Sequence, residues 1–201
     1  MFGDKQEEIP KLMPKDNKKI GLILNAYDLI NVNLEHKKRK KLMIIKELES
    51  LKLEVEILDL RQYFGKQEKL SEKLSQLGGI FLIGGNVFIL RQAMKLSGFD
   101  KIFHEELKNR KDFLYSGFSA GICVLAPSLN GLDIVDKSDE FPYSQNNETI
   151  WEGLGYLDYV ILPHYKSDHP ESEDVDKTVE YCEQNKIKYK TLRDGEVIII
   201  E

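Results

Sequence analysis

The sequence has few features that would commit it to a membrane, a disulfide framework or a nucleic acid. It contains two cysteines, Cys123 and Cys182, in apolar and helical surroundings respectively, and neither belongs to a CxxC or Cys/His metal spacing. Both read as reduced structural thiols. No run approaches the ~20 apolar residues of a membrane span, and the opening Met1-Phe2-Gly3-Asp4-Lys5 lacks the apolar core of a signal peptide. A cytoplasmic protein without a membrane partner is expected. Positive charge is not in excess: 29 Lys and Arg against 34 Asp and Glu give a net charge of −5, so no broad basic surface faces phosphate backbones and nucleic acid is not an expected partner. The one basic run, 36–41, leads into an amphipathic pattern carrying Leu42, Ile45, Leu48 and Leu51 and reads as a solvated helix start. There is neither an internal repeat nor a low-complexity tract.

What is present is enough apolar material, 41% of 201 residues, for one core. A single domain over 1–201 is expected. Residues 20–25 (IGLILN) form a short continuous apolar run ended by a turn-former, the pattern of a strand buried on both faces. A helix over about 35–51 follows, then a strand at 55–60, a helix at 67–77 and a strand at 79–83 running into Gly84-Gly85-Asn86. Helical patterns cover 87–96 and about 99–109, a strand 113–117, and a short buried helix 120–125. The irregular segment 126–152 is too long for a connector and is expected to drape over a site. A strand at 156–162, a helix at 171–185 and short strands at 189–192 and 197–200 complete the chain. This alternation predicts a mostly parallel, doubly wound sheet with helices on both faces, a three-layer α/β/α fold.

Chemistry concentrates at Gly117-Phe118-Ser119-Ala120-Gly121, a G-x-S-x-G pattern placed after an apolar strand and before a helix. There the serine occupies a sharp turn, and the helix start directs unpaired N–H groups at a developing oxyanion. A serine nucleophile needs a base. Of the four histidines, His36 lies in the basic run and His104 on a surface helix, whereas His164 ends an apolar strand through Pro163, and carboxyl strand ends are where open parallel sheets build sites. His169 is the fallback base. A metal cluster of His164, Asp168, His169 and Glu171 fits no common zinc spacing, so neither a metal nor a cofactor is expected. Gly84-Gly85-Asn86 should reach the same sheet edge, either as a helix-initiating turn capped by Asn86 or with a glycine N–H joining that of Ala120 as an oxyanion donor.

Three motifs in order, residues 80–88 (IFLIGGNVF), Gly117 to Gly121, and Leu162-Pro163-His164-Tyr165, resemble the peptidase E family of serine peptidases, the α-aspartyl dipeptidases. The resemblance runs from about Lys19 to the C-terminus. It implies a fold similar to class I glutamine amidotransferases, with serine in place of their cysteine. It also implies a triad acid after the histidine, a position matched by Asp194 in Leu192-Arg193-Asp194-Gly195, with aspartate where the family has glutamate. Family members begin with a strand ahead of the stretch resembling Gly3-Asp4-Lys5-Gln6-Glu7, and its loss here could open a sheet edge and invite homo-oligomerisation.

The expected reaction is then attack by Ser119 on a peptide carbonyl, with His164 as general base and acid, Asp194 holding the imidazole, and Gly85 and Ala120 donating to the oxyanion. The resemblance implies a small-peptide substrate cleaved after an N-terminal aspartate. Gly84, Asn86 and Lys166 are weaker substrate-binding candidates, and Lys166 and Arg91 are candidate carboxylate-binding cations. The rival chain order of α/β-hydrolases would take its acid from Asp133, Asp136, Asp139 or Asp158. Two further readings stand beside the peptidase: another serine hydrolase of this fold, such as an esterase or a cyanophycin-type peptidase, and a non-catalytic module binding a small ligand.

Overall fold

The computed structural model describes residues 5–28 and 33–200; Gly3 and Asp4 of the N-terminal stretch compared above lie outside them. In chain order the elements are α1 (Ile9–Leu12), β1 (Lys19–Ile23), α2 (Leu34–Ser50), β2 (Glu54–Ile57), α3 (Gln67–Ser75), β3 (Gly79–Leu82) and α4 (Val87–Ser97). They continue with α5 (Phe99–Ile102), β4 (Leu114–Gly117), α6 (Ala120–Cys123), β5 (Val160–Leu162), α7 (Ser172–Gln184) and β6 (Tyr189–Thr191).

Every strand pairing is parallel. Four strands lie in the order β2-β1-β3-β4, and β5 pairs with β6 in a separate ladder. Because the chain passes from β1 to β2 on one side and returns to place β3 on the other, the order reverses beside β1. Such a switch point opens a crevice at the carboxyl ends of the strands.

Alternation along the strands builds a core on each face. Ile20, Leu22, Phe81 and Ile83 pack with Ile44 and Leu48 of α2. Ile23, Ile80 and Leu82 face the other way, onto Leu70 and Leu74 of α3, Phe88 and Met94 of α4, Cys123 of α6 and Val175 of α7. The result is the expected three-layer α/β/α arrangement, with helices on both faces of a parallel sheet. Helix α4 begins where the Asn86 side chain accepts from the N–H groups of Phe88 and Ile89, and it stops at Gly98, whose φ of 76° is the left-handed conformation that suits glycine.

Several expected elements differ in extent. Residues 99–109 form the short α5 followed by one π-helical turn, Phe103–Leu107, instead of a continuous helix. The strand expected over 156–162 is reduced to Val160–Leu162, since Gly155 at φ 60° turns the chain just before it. Residues 197–200 form no strand: Val197, Ile199 and Ile200 are exposed, and no neighbouring strand pairs with them. Apolar residues alone do not make a strand when no ladder receives their backbone groups. Segment 126–152 carries a 3₁₀ turn, Leu132–Ile134, and closes on itself through an antiparallel bridge between Ser128 and Glu152. It is tied to α4 by hydrogen bonds from the side chains of Asn86, Arg91 and Gln92 to the carbonyls of Lys137, Glu152 and Glu140. The segment therefore covers the start of α4, beside the crevice.

Candidate active site

Ser119 stands between β4 and α6 with φ 51° and ψ −123°. A non-glycine residue in such a conformation is strained and persists only where its surroundings enforce it. Those surroundings are close-fitting. A Cβ added at Gly117 or Gly121 would sit 2.5 or 2.6 Å from the carbonyl oxygen of Leu82, so the glycines allow the turn to press against β3. The Tyr115 hydroxyl donates to the Gly121 carbonyl at 2.7 Å and fixes the first turn of α6 to its own strand.

The β3 end approaches from the other side. Gly85 has φ 138°, and a Cβ there would meet the Ala26 carbonyl oxygen at 2.5 Å; the next amide, Asn86, donates to that oxygen at 2.9 Å. The N–H groups of Gly85 and Ala120 donate to no acceptor among the described residues. They remain free for an oxyanion. Asn86 itself is buried and committed to capping α4 and to the Lys137 carbonyl, the helix-initiating alternative raised above. Gly84 lies directly against the Ser119 side chain.

His164 follows β5 with φ 64°. Its Nδ1 lies 2.7 Å from Asp194 Oδ1, across a junction held by backbone hydrogen bonds from Tyr165 N–H to the Leu192 carbonyl and from Leu192 N–H to the Leu162 carbonyl. Asp194 is positioned in turn by its own N–H, which donates to Ser167 Oγ at 2.8 Å. The His164 ring stacks on His169 at 3.7 Å between centroids, 10° from parallel. The Cys123 thiol donates to the Ile161 carbonyl at 3.4 Å and links the serine turn to the histidine strand. Burial pushes that thiol well above its usual range, so Cys123 is a protonated structural group.

Ser119 and His164 line one small pocket, with a free volume of about 20 Å³, shared with Val87, Leu132, Val135, Asp136, Leu162 and Glu171. No hydrogen bond joins Ser119 to His164 among the described residues. Contacts of this kind often tighten only around substrate. Asp136 Oδ2 accepts the Val87 N–H at 2.8 Å. Burial first, then the negative charges of Glu171 and Glu140, hold the Asp136 carboxyl up at about 7 against the opposing Val87 hydrogen bond.

His164, His169 and Glu171 bring ligand-type atoms within 4.8 Å of one another. Two imidazoles and a carboxylate suit zinc in kind. The two rings, however, are parallel, so their in-plane lone pairs do not converge on one point, and His169 Nδ1 already accepts the Glu171 N–H at 3.3 Å. The arrangement serves stacking better than ligation.

The remaining candidates are dispersed. Arg91 is buried and committed to Asp100 and the Glu152 carbonyl. Lys166 is exposed and lies over the Tyr165 ring at 5.0 Å. Asp133 accepts the Gly131 N–H, Asp158 pairs with Lys188, and Asp139 is exposed. His36 and His104 are exposed and lie outside the pocket. Sequence reasoning missed Ser167, weighed Glu171 beside His164 only as a metal ligand, and weighed Asp136 only as a rival triad acid. The one available signal was the clustering of polar residues after His164; nothing in the irregular 126–152 segment singles out Asp136.

Comparison with known proteins adds to this geometry. Residues 7–201 match the sequence profile of Peptidase family S51. An uncharacterized peptidase of Listeria monocytogenes is 36% identical over 125 residues, covering 61% of this chain and 56% of the relative, and one of Listeria innocua is 32% identical over 122 residues, covering 61% and 54%. The chain thus spans about half the length of the curated relatives it matches. A 1.5 Å crystal structure of a candidate peptidase E protein from Listeria monocytogenes superposes with a TM-score of 0.68 at 27% identity, over 92% of this chain and 82% of that one.

Proposed function

The chain belongs to peptidase family S51, and from that membership we propose that it is a serine peptidase of the peptidase E type acting on short peptides, with Ser119, His164 and Asp194 as its triad. The observation that carries the reading is the 2.7 Å pairing of His164 Nδ1 with Asp194, on a histidine that lines the same pocket as the strained Ser119.

Each residue has a physical task. With Nδ1 donating to Asp194, the His164 ring presents Nε2 as the acceptor, the tautomer a general base requires. Ser119 Oγ attacks the peptide carbonyl and its proton passes to Nε2. The oxygen, now negative, is held by the free N–H groups of Gly85 and Ala120. His164 then protonates the leaving amine, and water resolves the acyl-enzyme by the same steps in reverse roles. Asp194 stabilises the imidazolium throughout. The finer reading, release of an N-terminal aspartate, comes from the peptidase E resemblance.

A fluorophosphonate probe tests the proposal. One site per chain should be labelled, at Ser119 by mass spectrometry, and Ser119→Ala should abolish labelling without shifting the melting transition by more than a few degrees. Labelling that survives in Ser119→Ala would remove this serine as nucleophile. A panel of dipeptides beside simple esters separates a peptidase from an esterase of the same fold.

A further inference from the structure

The residues lining the pocket beside Ser119 include two carboxylates and neither lysine nor arginine. Asp136 uses Oδ2 to accept the Val87 N–H, while Oδ1 accepts nothing among the described residues. The Glu171 side chain likewise makes no hydrogen bond among them; its Oε2 lies 4.0 Å from His164 Nε2 and 3.9 Å from His169 Nδ1. The cations nearest in the chain are engaged elsewhere: Arg91 with Asp100, Lys137 with Glu140, and Lys166 over the Tyr165 ring. The other walls are Val87, Leu132, Val135 and Leu162. Burial of one acid in a largely apolar pocket, beside a second, half-exposed acid, is unfavourable without a cation, and Asp136 responds by holding its proton near neutral pH.

Size narrows what could enter. A free volume of about 20 Å³ admits one water-sized group. An ammonium group is of that size. Covalent geometry then links the pocket to the reaction, because the α-nitrogen of a peptide's first residue lies two bonds, about 2.5 Å, from the carbonyl carbon that a serine would attack. A peptide with its first carbonyl at Ser119 must place its terminal nitrogen in the immediate neighbourhood of that serine.

We propose that Asp136 and Glu171 form the subsite for the free N-terminal ammonium of the substrate, making Asp136 a specificity-determining residue of an enzyme that removes one residue from the amino end. The inference rests on the peptidase reading above for its biological meaning, but the subsite itself is a binding claim. Asp136 Oδ1 accepts from the ammonium, Glu171 supplies the second negative charge, and the first residue's side chain is turned away from this pocket toward the open rim. The same pair repels any carboxylate directed into the pocket, so an N-terminal aspartate would keep its side chain outside it.

Binding to the Ser119→Ala protein tests this without requiring turnover. Isothermal titration is run with aspartyl-leucine, alanyl-leucine and leucyl-leucine, each beside its N-acetyl form. At least one free dipeptide should bind at least tenfold more tightly than its acetylated partner, as expected for loss of a charge-assisted hydrogen bond. Adding Asp136→Asn, which keeps an acceptor for Val87, should remove that preference, and Glu171→Gln should weaken it. Equal affinity for free and acetylated forms, absence of binding by all three free dipeptides, or a preference unchanged in both carboxylate variants would overturn the proposal. Fluorophosphonate labelling of the parent chain reports separately on the serine, so failure of the subsite and failure of the peptidase reading give different results.

Discussion

Gly84 touches the side chain of Ser119: a Cβ at Gly84 would lie 2.7 Å from Ser119 Cβ and 3.0 Å from its Oγ. The two residues end neighbouring strands, β3 and β4, whose registers place Leu82 opposite Gly117. The serine can adopt its strained turn only because the adjoining strand offers no side chain there.

Gly84→Ala should consequently displace Ser119 more than it disturbs the fold, since Gly84 does not require a left-handed φ. Displacement of a reacting group by an ångström can cost about a hundredfold in rate. The expected outcome is a loss of that order in fluorophosphonate labelling rate, with the melting temperature reduced by only a few degrees. An unchanged labelling rate would mean that the contact does not position the nucleophile.

Amide substitution tests the proposal that Asp194 is the triad acid. Asp194→Asn preserves shape but no longer holds the imidazole in its tautomer, a change that costs ~10⁴-fold in a serine protease. Asp194 should lose orders of magnitude in kcat as Asn, whereas Asp158→Asn, which breaks only the exposed pair with Lys188, should stay within about threefold. Asp194→Glu tests the longer acid expected from the resemblance. A near-parental kcat for Asp194→Asn would return the assignment to another carboxylate.

The placement of Ser119 and His164 was legible because each follows an apolar strand. Ser119 sits in a short glycine-flanked motif after β4, and His164 comes directly after β5, so sequence order alone placed both at carboxyl strand ends. Asp194 was reached only through family resemblance, because one aspartate in a polar turn carries no pattern of its own. Asp136 and Ser167 were not legible as neighbours of the site. The first is brought in by segment 126–152, whose path is set by tertiary hydrogen bonds to α4, and the second acts through a single hydroxyl. Residues 197–200 erred in the opposite direction, since local strand propensity there is not met by a pairing edge.

Ser167 holds Asp194 through its hydroxyl, while its own N–H donates to the His164 carbonyl at 3.3 Å. Its Oγ accepts the Asp194 N–H and donates to the Tyr165 carbonyl at 3.3 Å, bridging the two turns that carry the proposed base and acid. Ser167→Ala should lower kcat by about tenfold with little change in KM, as expected for a residue acting on the transition state through another. Ser167→Thr, which restores the hydroxyl, should recover most of the loss. A change confined to KM would place Ser167 in substrate binding instead.

The stability of the chain should depend on pH through Asp136. Its carboxyl is raised from the ordinary aspartate value of 3.8 to about 7, mainly by burial, so the folded state binds its proton more tightly than the unfolded state does. Between those two values the folded form holds more protons, and stability must fall as pH rises. Below 3.8 the contribution vanishes, and above 7 the full penalty, on the order of a few kcal/mol, is present. Asp136→Asn removes the titration while keeping an acceptor for the Val87 N–H. Relative to the parent, the variant should therefore be more stable at pH 8 than it is at pH 5, with the difference between variant and parent growing by at least 1 kcal/mol, roughly a fivefold change in the unfolding equilibrium, across that interval in urea titrations. Other titrating groups contribute to both proteins and cancel in this comparison. A difference that stays constant from pH 5 to 8 would show that the Asp136 carboxyl is not held near neutrality by the pocket, and the case for an unneutralised ammonium subsite would weaken with it.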